Sequence, residues 1–254
     1  MIRNLLRSYC YRYKEVFYTR RHGYDKLYVC DNYLLKESST SRPDYRHECD
    51  ILSQLNNPNI VRVWDHFYDK DKFYMVMQFH RKGDIWHKMN ANPEPTYGEI
   101  LMMTRKLAKP IAHIHRQGLV HLDIKLENYV QGDSCNYVMI DFEHAQWFQK
   151  DYYDIDSLGK ISGTPLYMAP EIRSLQYGPT SDVYSLGCVL YAIISRRHPG
   201  IANIDWTPVR ENAPGLEDLV VAMLQPNHRM RPTVFDVIRD VNSLIYRCPE
   251  NIFE

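Results

Sequence analysis

The sequence predicts an α+β protein, with a small antiparallel sheet at its N-terminal end and a larger helical part after it. Up to about residue 78, short runs rich in Tyr, Val and Leu alternate with turn residues, as β-strands joined by tight turns do. Beyond Gly83 the apolar residues recur at helical spacing. The chain has 254 residues, 44% of them hydrophobic and 24% charged, so it can build a sizeable core in one to two folding units.

The N-terminal part is expected to form strands around one helix. The strand candidates lie at residues 14–18, 26–30, 33–37, 60–67 and 73–77. Between the third and fourth of these, Pro43 can take the first position of a helix on which Glu48, Leu52 and Leu55 share one stripe. Pro58 follows an asparagine and ends that helix.

The C-terminal part is expected to be helical, joined to the sheet near residues 78–83. The helix candidates lie at residues 100–116, 182–194, 216–224 and 232–245. Pro110 interrupts the first of them and should cost about 3 kcal/mol or kink it. The second has apolar residues on every face, which predicts a helix buried at the centre of a domain.

Charge and composition exclude several classes of partner. Lys and Arg total 31, as do Asp and Glu, so no strong uniform field is available to bind nucleic acid. No run of 18 apolar residues predicts a membrane span, and the six cysteines contain no C-x-x-C pair for zinc or redox chemistry. We therefore expect a soluble, intracellular, cytoplasmic protein with no nucleic-acid and no membrane partner.

The densest chemistry lies in residues 121–128 and 140–143. Asp123 and Asp141 supply carboxylates, Lys125 a cation and Asn128 an amide, in loops between an apolar helix and an apolar strand. Such a set could hold a divalent cation through oxygen ligands and orient a hydroxyl. A solvated polar hairpin is the alternative that these residue types alone leave open.

The segment His121-Leu122-Asp123-Ile124-Lys125-Leu126-Glu127-Asn128, followed by Asp141-Phe142-Glu143, resembles the catalytic loop of eukaryotic-type protein kinases. Three later stretches resemble that family's motifs in the family's order: Gly163-Thr164-Pro165-Leu166-Tyr167-Met168-Ala169-Pro170-Glu171, Asp182-Val183-Tyr184-Ser185-Leu186-Gly187 and Arg229-Met230-Arg231-Pro232-Thr233. The resemblance implies a bilobal protein-kinase-like fold over residues 1–254, with an N-lobe at about 1–78, a hinge at 78–83 and a C-lobe at about 84–254. It also implies that Arg231 pairs with Glu171.

The nucleotide side of the family is similar as well. Tyr33-Leu34-Leu35-Lys36 looks like the strand that carries the phosphate-binding lysine, and residues 74–80 look like the strand and hinge that hold adenine. The resemblance implies that Lys36, paired with Glu48, positions the α- and β-phosphates of ATP. It implies that the backbone at Gln78 and His80 bonds the adenine edge and that Asp84 reaches the ribose. A surface lysine and a solvated helix glutamate are the alternative for Lys36 and Glu48.

The remaining roles implied by the resemblance are catalytic. Asp123 would accept the proton of the substrate hydroxyl, Lys125 would lie against the γ-phosphate, and Asn128 and Asp141 would hold Mg²⁺. Lys125, two residues after the base, together with Gly163-Thr164-Pro165, is similar to serine/threonine kinases. We therefore expect a monomeric serine/threonine protein kinase that uses Mg-ATP and docks its protein substrate at residues 163–171.

Three departures from the family pattern surround the nucleotide. The turn at residues 20–25 holds one glycine and no G-x-G-x-x-G, and Leu34 replaces a small alanine, which tightens the adenine pocket. Glu143 replaces the glycine of D-F-G. A carboxylate roughly 6 Å from a phosphate, at an effective dielectric of about 20, costs on the order of 3 kcal/mol unless it points away or joins the metal shell.

A fourth departure concerns regulation. Leu122 replaces the arginine that, in the family, reads phosphorylation of the activation loop. We therefore expect activity without activation-loop phosphorylation. The alternative function is a pseudokinase, a protein-binding or mimicry module with weak or no nucleotide binding. A small-molecule kinase is disfavoured by residues 163–171, which resemble a peptide-docking segment.

Overall fold

The computed structural model describes residues 13–16, 26–30, 32–42, 44–91, 94–133, 136–149, 151–161, 163–197 and 204–248. The strands are β1 (Tyr13–Val16), β2 (Lys26–Cys30), β3 (Tyr33–Ser39), β4 (Val63–Asp69), β5 (Lys72–Gln78), β6 (Leu119–Val120), β7 (Tyr129–Gln131), β8 (Tyr137–Met139), β9 (Gln146–Trp147), β10 (Asp156–Ser157) and β11 (Gln176–Tyr177). The α-helices are α1 (His47–Leu52), α2 (Ile85–Ala91), α3 (Tyr97–Arg116), α4 (Pro179–Ser195), α5 (Thr207–Asn212), α6 (Glu217–Met223) and α7 (Val234–Arg247). The architecture is the bilobal α+β fold that the motifs imply.

The N-terminal lobe is an antiparallel sheet with strand order β1-β2-β3-β5-β4 in the described part of the chain. The register pairs Tyr33 with Gln78 and Lys36 with Met75, so the central strands β3 and β5 lie side by side over their whole length. All five predicted strands are present, although the fourth begins at Val63 instead of residue 60 and residues 17–18 of the first lie outside the described residues. The predicted turn at residues 20–25 lies outside the described residues.

Helix α1 is shorter than predicted. The helix begins at His47, after turns at residues 44–46, and ends at Leu52, whereas Pro43 lies outside the described residues. The preceding residue, Arg46, provides no side-chain cap, so the helix is held by tertiary contacts. Glu48 and Leu52 are buried against the rest of the molecule, and burial stabilises so short a helix more than its propensity does.

The two lobes are joined by backbone hydrogen bonds as well as by the hinge. Val61 donates to the carbonyl of Met139 over 2.9 Å, and Met139 donates to the carbonyl of Asn59 over 2.8 Å. The imidazole of His47 contacts the carbonyl of Ala145 over 2.7 Å. These bonds attach the segment before β4 to strand β8, and α1 to the loop that follows β8.

Helix α3 starts with a capping box and continues through its proline. Thr96 accepts a hydrogen bond from the backbone of Glu99, whose carboxylate accepts one from the backbone of Thr96. The predicted interruption at Pro110 is wrong, because the helix runs unbroken to Arg116. Its neighbour Ile111 is fully buried, and this burial offsets the hydrogen bond that a proline cannot donate.

Helix α4 lies at the centre of the helical lobe, which confirms the prediction of a buried helix. All of its residues from Pro179 to Ile194 are buried except Tyr184. It contacts α3, α5 and α6. None of the described helices is both long enough and apolar enough to cross a lipid bilayer.

A buried ion pair fastens the end of the helical lobe to the segment before α4. Arg231 donates from Nη1 and Nη2 to the two carboxylate oxygens of Glu171 over 2.7 and 2.8 Å, as predicted. The remaining guanidinium hydrogens bind the carbonyls of Gln225, Pro226 and Thr180. The guanidinium is thus fully hydrogen-bonded, which is the condition for burying an arginine that is 1% exposed.

We expect Arg231→Met to lower the free energy of unfolding by about 3–5 kcal/mol, because it leaves the Glu171 carboxylate buried without its counter-ion. Urea denaturation at pH 7 measures the loss. The matched control is Arg229→Met, since Arg229 is exposed and contacts Asp154 only at 3.5 Å. That control should change stability by less than about 1 kcal/mol, and equal losses in the two variants would contradict the prediction.

Candidate active site

A cleft of about 300 Å³ lies between the sheet and the helical lobe. Its apolar lining comes from both lobes: Leu27, Val29, Leu34, Val61, Met77, Phe79, Val130 and Ile140. Five of the predicted nucleotide-binding residues also line it: Lys36, Gln78, His80, Asp84 and Asp141. An apolar cleft of this size with a few convergent polar groups is typical of a small-molecule site.

Lys36 connects the sheet to the loop after β8. Its ammonium donates to the two carboxylate oxygens of Glu48 over 2.9 and 2.8 Å and lies 3.7 Å from Asp141. Lys36 and Glu48 are both buried, so the surface alternative for this pair is wrong. Burial raises the pKa of the Glu48 carboxyl, and the Lys36 ammonium opposes that rise. Glu48 also accepts the backbone N–H of Phe142 over 3.2 Å, which ties α1 to the residue after Asp141.

The hinge backbone is attached to the sheet and turns toward the cleft. Gln78 donates its N–H to the carbonyl of Arg62 over 2.9 Å, and Phe79 donates to the carbonyl of Asn32 over 2.9 Å. Among the described residues, no group accepts the N–H of His80, so this donor is available beside the cleft. Asp84 lies at the mouth of the cleft, where its carboxylate accepts the backbone N–H of His87 over 2.8 Å.

The Asp123 carboxylate lies in a cluster of hydrogen-bond donors. Lys125 donates to Oδ2 over 2.5 Å, and the hydroxyl of Thr164 donates to Oδ1 over 2.7 Å. The Asn128 amide donates to Oδ2 and to the Asp123 carbonyl over 2.9 and 2.8 Å. The contact between Thr164 and this carboxylate was not predicted from the sequence. The position of Thr164 in the motif Gly163-Thr164-Pro165 was the feature of the sequence that could have indicated it.

These donors keep Asp123 ionised although it is buried. Burial alone raises the pKa of the carboxyl, but the charge of Lys125 and the hydrogen bonds from Lys125 and Thr164 outweigh it, so the pKa lies below its usual value. The site therefore holds an anion that can accept a hydrogen bond from an incoming hydroxyl.

The backbone on either side of Asp123 is held by buried contacts. Leu122 has a φ of 64°, in the left-handed region that a branched side chain rarely adopts. Its N–H and that of His121 both donate to the Asp182 carboxylate over 2.8 Å, which holds this turn in place. The backbone of Gly163 lies against that of Leu122. A Cβ on residue 163 would lie 2.4 Å from the Leu122 carbonyl oxygen, so the lack of a side chain permits this close approach.

Asn128 and Asp141 flank the hairpin formed by β7 and β8. The carbonyl of Asn128 accepts the N–H of Ile140, the residue before Asp141, over 2.9 Å. The side-chain oxygen of Asn128 is buried and, within the described part of the chain, has no hydrogen-bond partner. An amide oxygen in this state, beside a carboxylate, suits a hard cation such as Mg²⁺, so these residues fit the metal.

A model of the protein kinase domain matches residues 12–242 of the chain. The chain belongs to the protein kinase family. NUAK family SNF1-like kinase 1 of Mus musculus is 34% identical over 151 residues, which cover 59% of this chain and 22% of that protein. Calcium-dependent protein kinase 20 of Oryza sativa subsp. japonica is 30% identical over 228 residues, covering 80% of this chain and 40% of that protein. The chain thus spans less than half the length of these relatives.

Glu143, the residue in place of the D-F-G glycine, lies outside the described lining of the cleft. It lines a second cavity of about 20 Å³, together with Lys36, Arg42, Asp44 and Glu48. Burial, followed by the charges of Asp141 and Glu48, raises its pKa to about 7. A carboxyl with a raised pKa, outside the lining of the cleft, repels a bound phosphate less than an ionised carboxylate inside the cleft would.

Leu122, the residue in place of the kinase arginine, is part of an apolar cluster. Its described members also include Val120, Leu158, Ala169, Ile172 and Tyr177. Leu158 belongs to the activation segment, residues 144–170, so the side chain that replaces the phosphate-binding arginine packs on the same segment through apolar contact.

We expect Glu143→Gln to stabilise the protein at pH 8 and to have little effect at pH 4.5. The folded-state pKa of about 7 exceeds the ordinary 4.5, so the contribution of the neutral carboxyl is complete at low pH and is lost as the pH rises from about 4.5 to 7. The full shift would be worth about 3 kcal/mol, but screening of this partly exposed group reduces our expectation to about 1–2 kcal/mol.

Urea denaturation of both proteins at the two pH values measures this difference. The matched control is Glu94→Gln, at an exposed position away from the Glu143 cavity, which should change stability by less than about 0.5 kcal/mol. A Glu143→Gln variant with the same stability difference at pH 4.5 and pH 8 would contradict the expected titration.

Proposed function

We propose that the chain is a serine/threonine protein kinase that transfers the γ-phosphate of Mg-ATP to a protein hydroxyl. One observation carries the proposal: the buried, ionised Asp123 is surrounded by Lys125, Asn128 and Thr164, next to the cleft that Lys36 and Asp141 line. A module that only binds partners has no need of a buried anion held by these donors. Relatives that carry the word kinase in their names support the same activity.

In the proposed reaction Asp123 orients the substrate hydroxyl and takes its proton. The hydroxyl oxygen forms a bond to the γ-phosphorus, the bond from that phosphorus to the β-bridging oxygen breaks, and the electron pair leaves with ADP. Because Asp123 has a lowered pKa, it serves first as an acceptor that aligns the hydroxyl and receives the proton late in the transfer.

The cations of the site stabilise the transferred charge. Lys125 lies beside Asp123 and can reach the γ-phosphate, while Lys36, held by Glu48, contacts the α- and β-phosphates. When bound between Asn128 and Asp141, Mg²⁺ would neutralise charge on the phosphate oxygens. The apolar lining from both lobes encloses the adenine, whose edge would meet the Gln78 carbonyl and the His80 N–H.

The substrate is proposed to dock on residues 163–171. One end of this segment reaches the reaction centre through Thr164, and the other end is anchored by Glu171 on Arg231. Between them, Leu166 is 44% exposed and offers an apolar contact beside the phosphoacceptor. A segment fixed at both ends with an exposed middle supports the docking of a peptide.

We also propose that catalysis needs no phosphate on the activation segment. The support is the apolar cluster that contains both Leu122 and Leu158, together with the pairing of β10 with β11, which ties residues 156–157 to residues 176–177. Packing of this kind is present without any added charge.

We expect ATP with Mg²⁺, at about a hundred times its dissociation constant, to add about 2.7 kcal/mol of stability and to raise the melting temperature by roughly 5–10 °C. Asp123→Asn should keep this thermal shift and lower phosphate transfer about 10²–10⁴-fold, because it removes the proton acceptor and leaves the nucleotide contacts. Absence of any shift at millimolar ATP would contradict the kinase proposal. A shift without transfer in the unmodified protein would favour the nucleotide-binding pseudokinase instead.

We expect treatment with a phosphatase to leave the transfer rate within about twofold of that of the untreated protein, because the activation segment is held by apolar packing and not by a phosphate–arginine pair. Mass spectrometry of the treated protein verifies that no phosphate remains on Tyr153, Ser157 or neighbouring residues. Loss of activity on this treatment would overturn phosphate independence and leave the kinase assignment intact.

A further inference from the structure

Tyr152, in the activation segment, is built into the helical lobe. Its ring meets the His115 ring edge-on at 5.6 Å between centroids and packs on Phe235 at 6.1 Å. Its hydroxyl oxygen accepts the N–H of Val234, the first residue of α7, over 3.0 Å and lies 2.9 Å from Nδ1 of His115. The segment is thus attached to both α3 and α7 by a single side chain.

The contacts of Tyr152 continue to the catalytic loop. Nε2 of His115 lies 2.9 Å from the Asp182 carboxylate, and both side chains are 0% exposed. The same carboxylate accepts the N–H groups of His121 and Leu122, the two residues before Asp123. A continuous path of hydrogen bonds therefore runs from the activation segment to the backbone that carries the catalytic carboxylate.

The hydrogens in this path can be assigned from its two ends. Asp182 accepts only, so Nε2 of His115 must carry a proton, and in the neutral ring Nδ1 is then an acceptor. The Tyr152 hydroxyl donates to Nδ1 while its oxygen accepts from Val234, and every polar hydrogen has one acceptor. Burial raises the pKa of the Tyr152 phenol, which keeps that hydroxyl protonated.

The opposite tautomer of His115 breaks the path at both ends. With the proton on Nδ1, the lone pair of Nε2 would face the Asp182 carboxylate, and the Tyr152 oxygen would meet two N–H donors with no acceptor for its own hydrogen. Asp182 and the Tyr152 hydroxyl therefore favour the same tautomer of His115, Asp182 from the Nε2 side and the hydroxyl from the Nδ1 side. Removal of the hydroxyl would leave Nδ1 without its donor and loosen the ring that bonds Asp182, the carboxylate that holds the left-handed turn at Leu122.

We propose that Tyr152 is a positioning residue, which couples the order of the activation segment to the geometry of Asp123 through His115 and Asp182. The coupling takes the place of a phosphate–arginine contact, since residue 122 is a leucine. Its catalytic consequence rests on the proposed function, whereas the effect on the backbone at residues 121–122 does not. At its Tyr152 end the path uses a neutral hydroxyl and no phosphate. It therefore forms without phosphorylation of the activation segment.

The test is Tyr152→Phe, which keeps the packed ring and removes the hydroxyl. We expect amide hydrogen exchange at residues 121–122 and 151–158, followed by mass spectrometry, to become about tenfold faster. With Mg-ATP and myelin basic protein, kcat should fall about tenfold, corresponding to about 1.4 kcal/mol, with an unchanged KM for ATP. The control is Tyr153→Phe, whose ring is 39% exposed and packs on Tyr152, and which should change neither quantity.

A second background separates coupling through the His115 ring from loss of a local hydrogen bond. In His115→Gln the side-chain amide has its donor and acceptor on different atoms, so it can face Asp182 with its NH₂ group whether or not Tyr152 has a hydroxyl. Adding Tyr152→Phe to this background should accelerate exchange at residues 121–122 less than about threefold. An equal acceleration in both backgrounds, or none in either, overturns the proposal.

The exchange measurement keeps this proposal separate from the proposed function. If the unmodified protein transfers no phosphate but Tyr152→Phe accelerates exchange at residues 121–122, the kinase activity is refuted and the coupling stands. If transfer occurs and Tyr152→Phe changes neither exchange nor kcat, the coupling is refuted and the activity stands.

Discussion

The buried carboxylate of Asp182 is the constraint on which the helical lobe around Asp123 depends. It lies near the start of the central helix α4, it is 0% exposed, and it accepts hydrogen bonds from His115 on α3 and from the backbone of His121 and Leu122. An ionised carboxylate without such donors would cost several kcal/mol to bury, so the donors cannot move away independently. The hydrogen bonds that the buried Asp182 carboxylate requires thus hold the turn that precedes Asp123.

The other buried charges follow the same rule and connect segments that are distant in sequence. Lys36 is held by Glu48, twelve residues along the chain, and Arg231 by Glu171, sixty residues away. Both partners of each pair are buried, and each charged group has further hydrogen bonds or charges beside it. Such pairs define where segments meet more than they add net stability, because the cost of desolvation offsets most of the attraction. The first pair holds the sheet beside the cleft, and the second holds the end of segment 163–171 against the helical lobe.

The departures from the kinase pattern change the surroundings of the reaction and leave its groups in place. Glu143 lines a separate cavity with Arg42 and Glu48, outside the described lining of the cleft. Leu122 stands where the family has an arginine and belongs to an apolar cluster that also contains Leu158. Both substitutions are compatible with phosphate transfer because neither removes a donor or acceptor from Asp123.

The sequence by itself determined the fold class, the family, the strands of the sheet and the buried helix α4, because periodicity and motif order are properties of the chain alone. It also identified the pairs Lys36–Glu48 and Arg231–Glu171, through spacing shared with the family. Only the tertiary structure decided that Thr164 touches Asp123, that Glu143 lines a cavity other than the cleft, that α1 begins at His47 and that Tyr152 reaches His115. These outcomes depend on side-chain directions and on contacts between segments that are distant in the sequence. A local sequence pattern does not specify which of several polar groups will bond to a buried side chain.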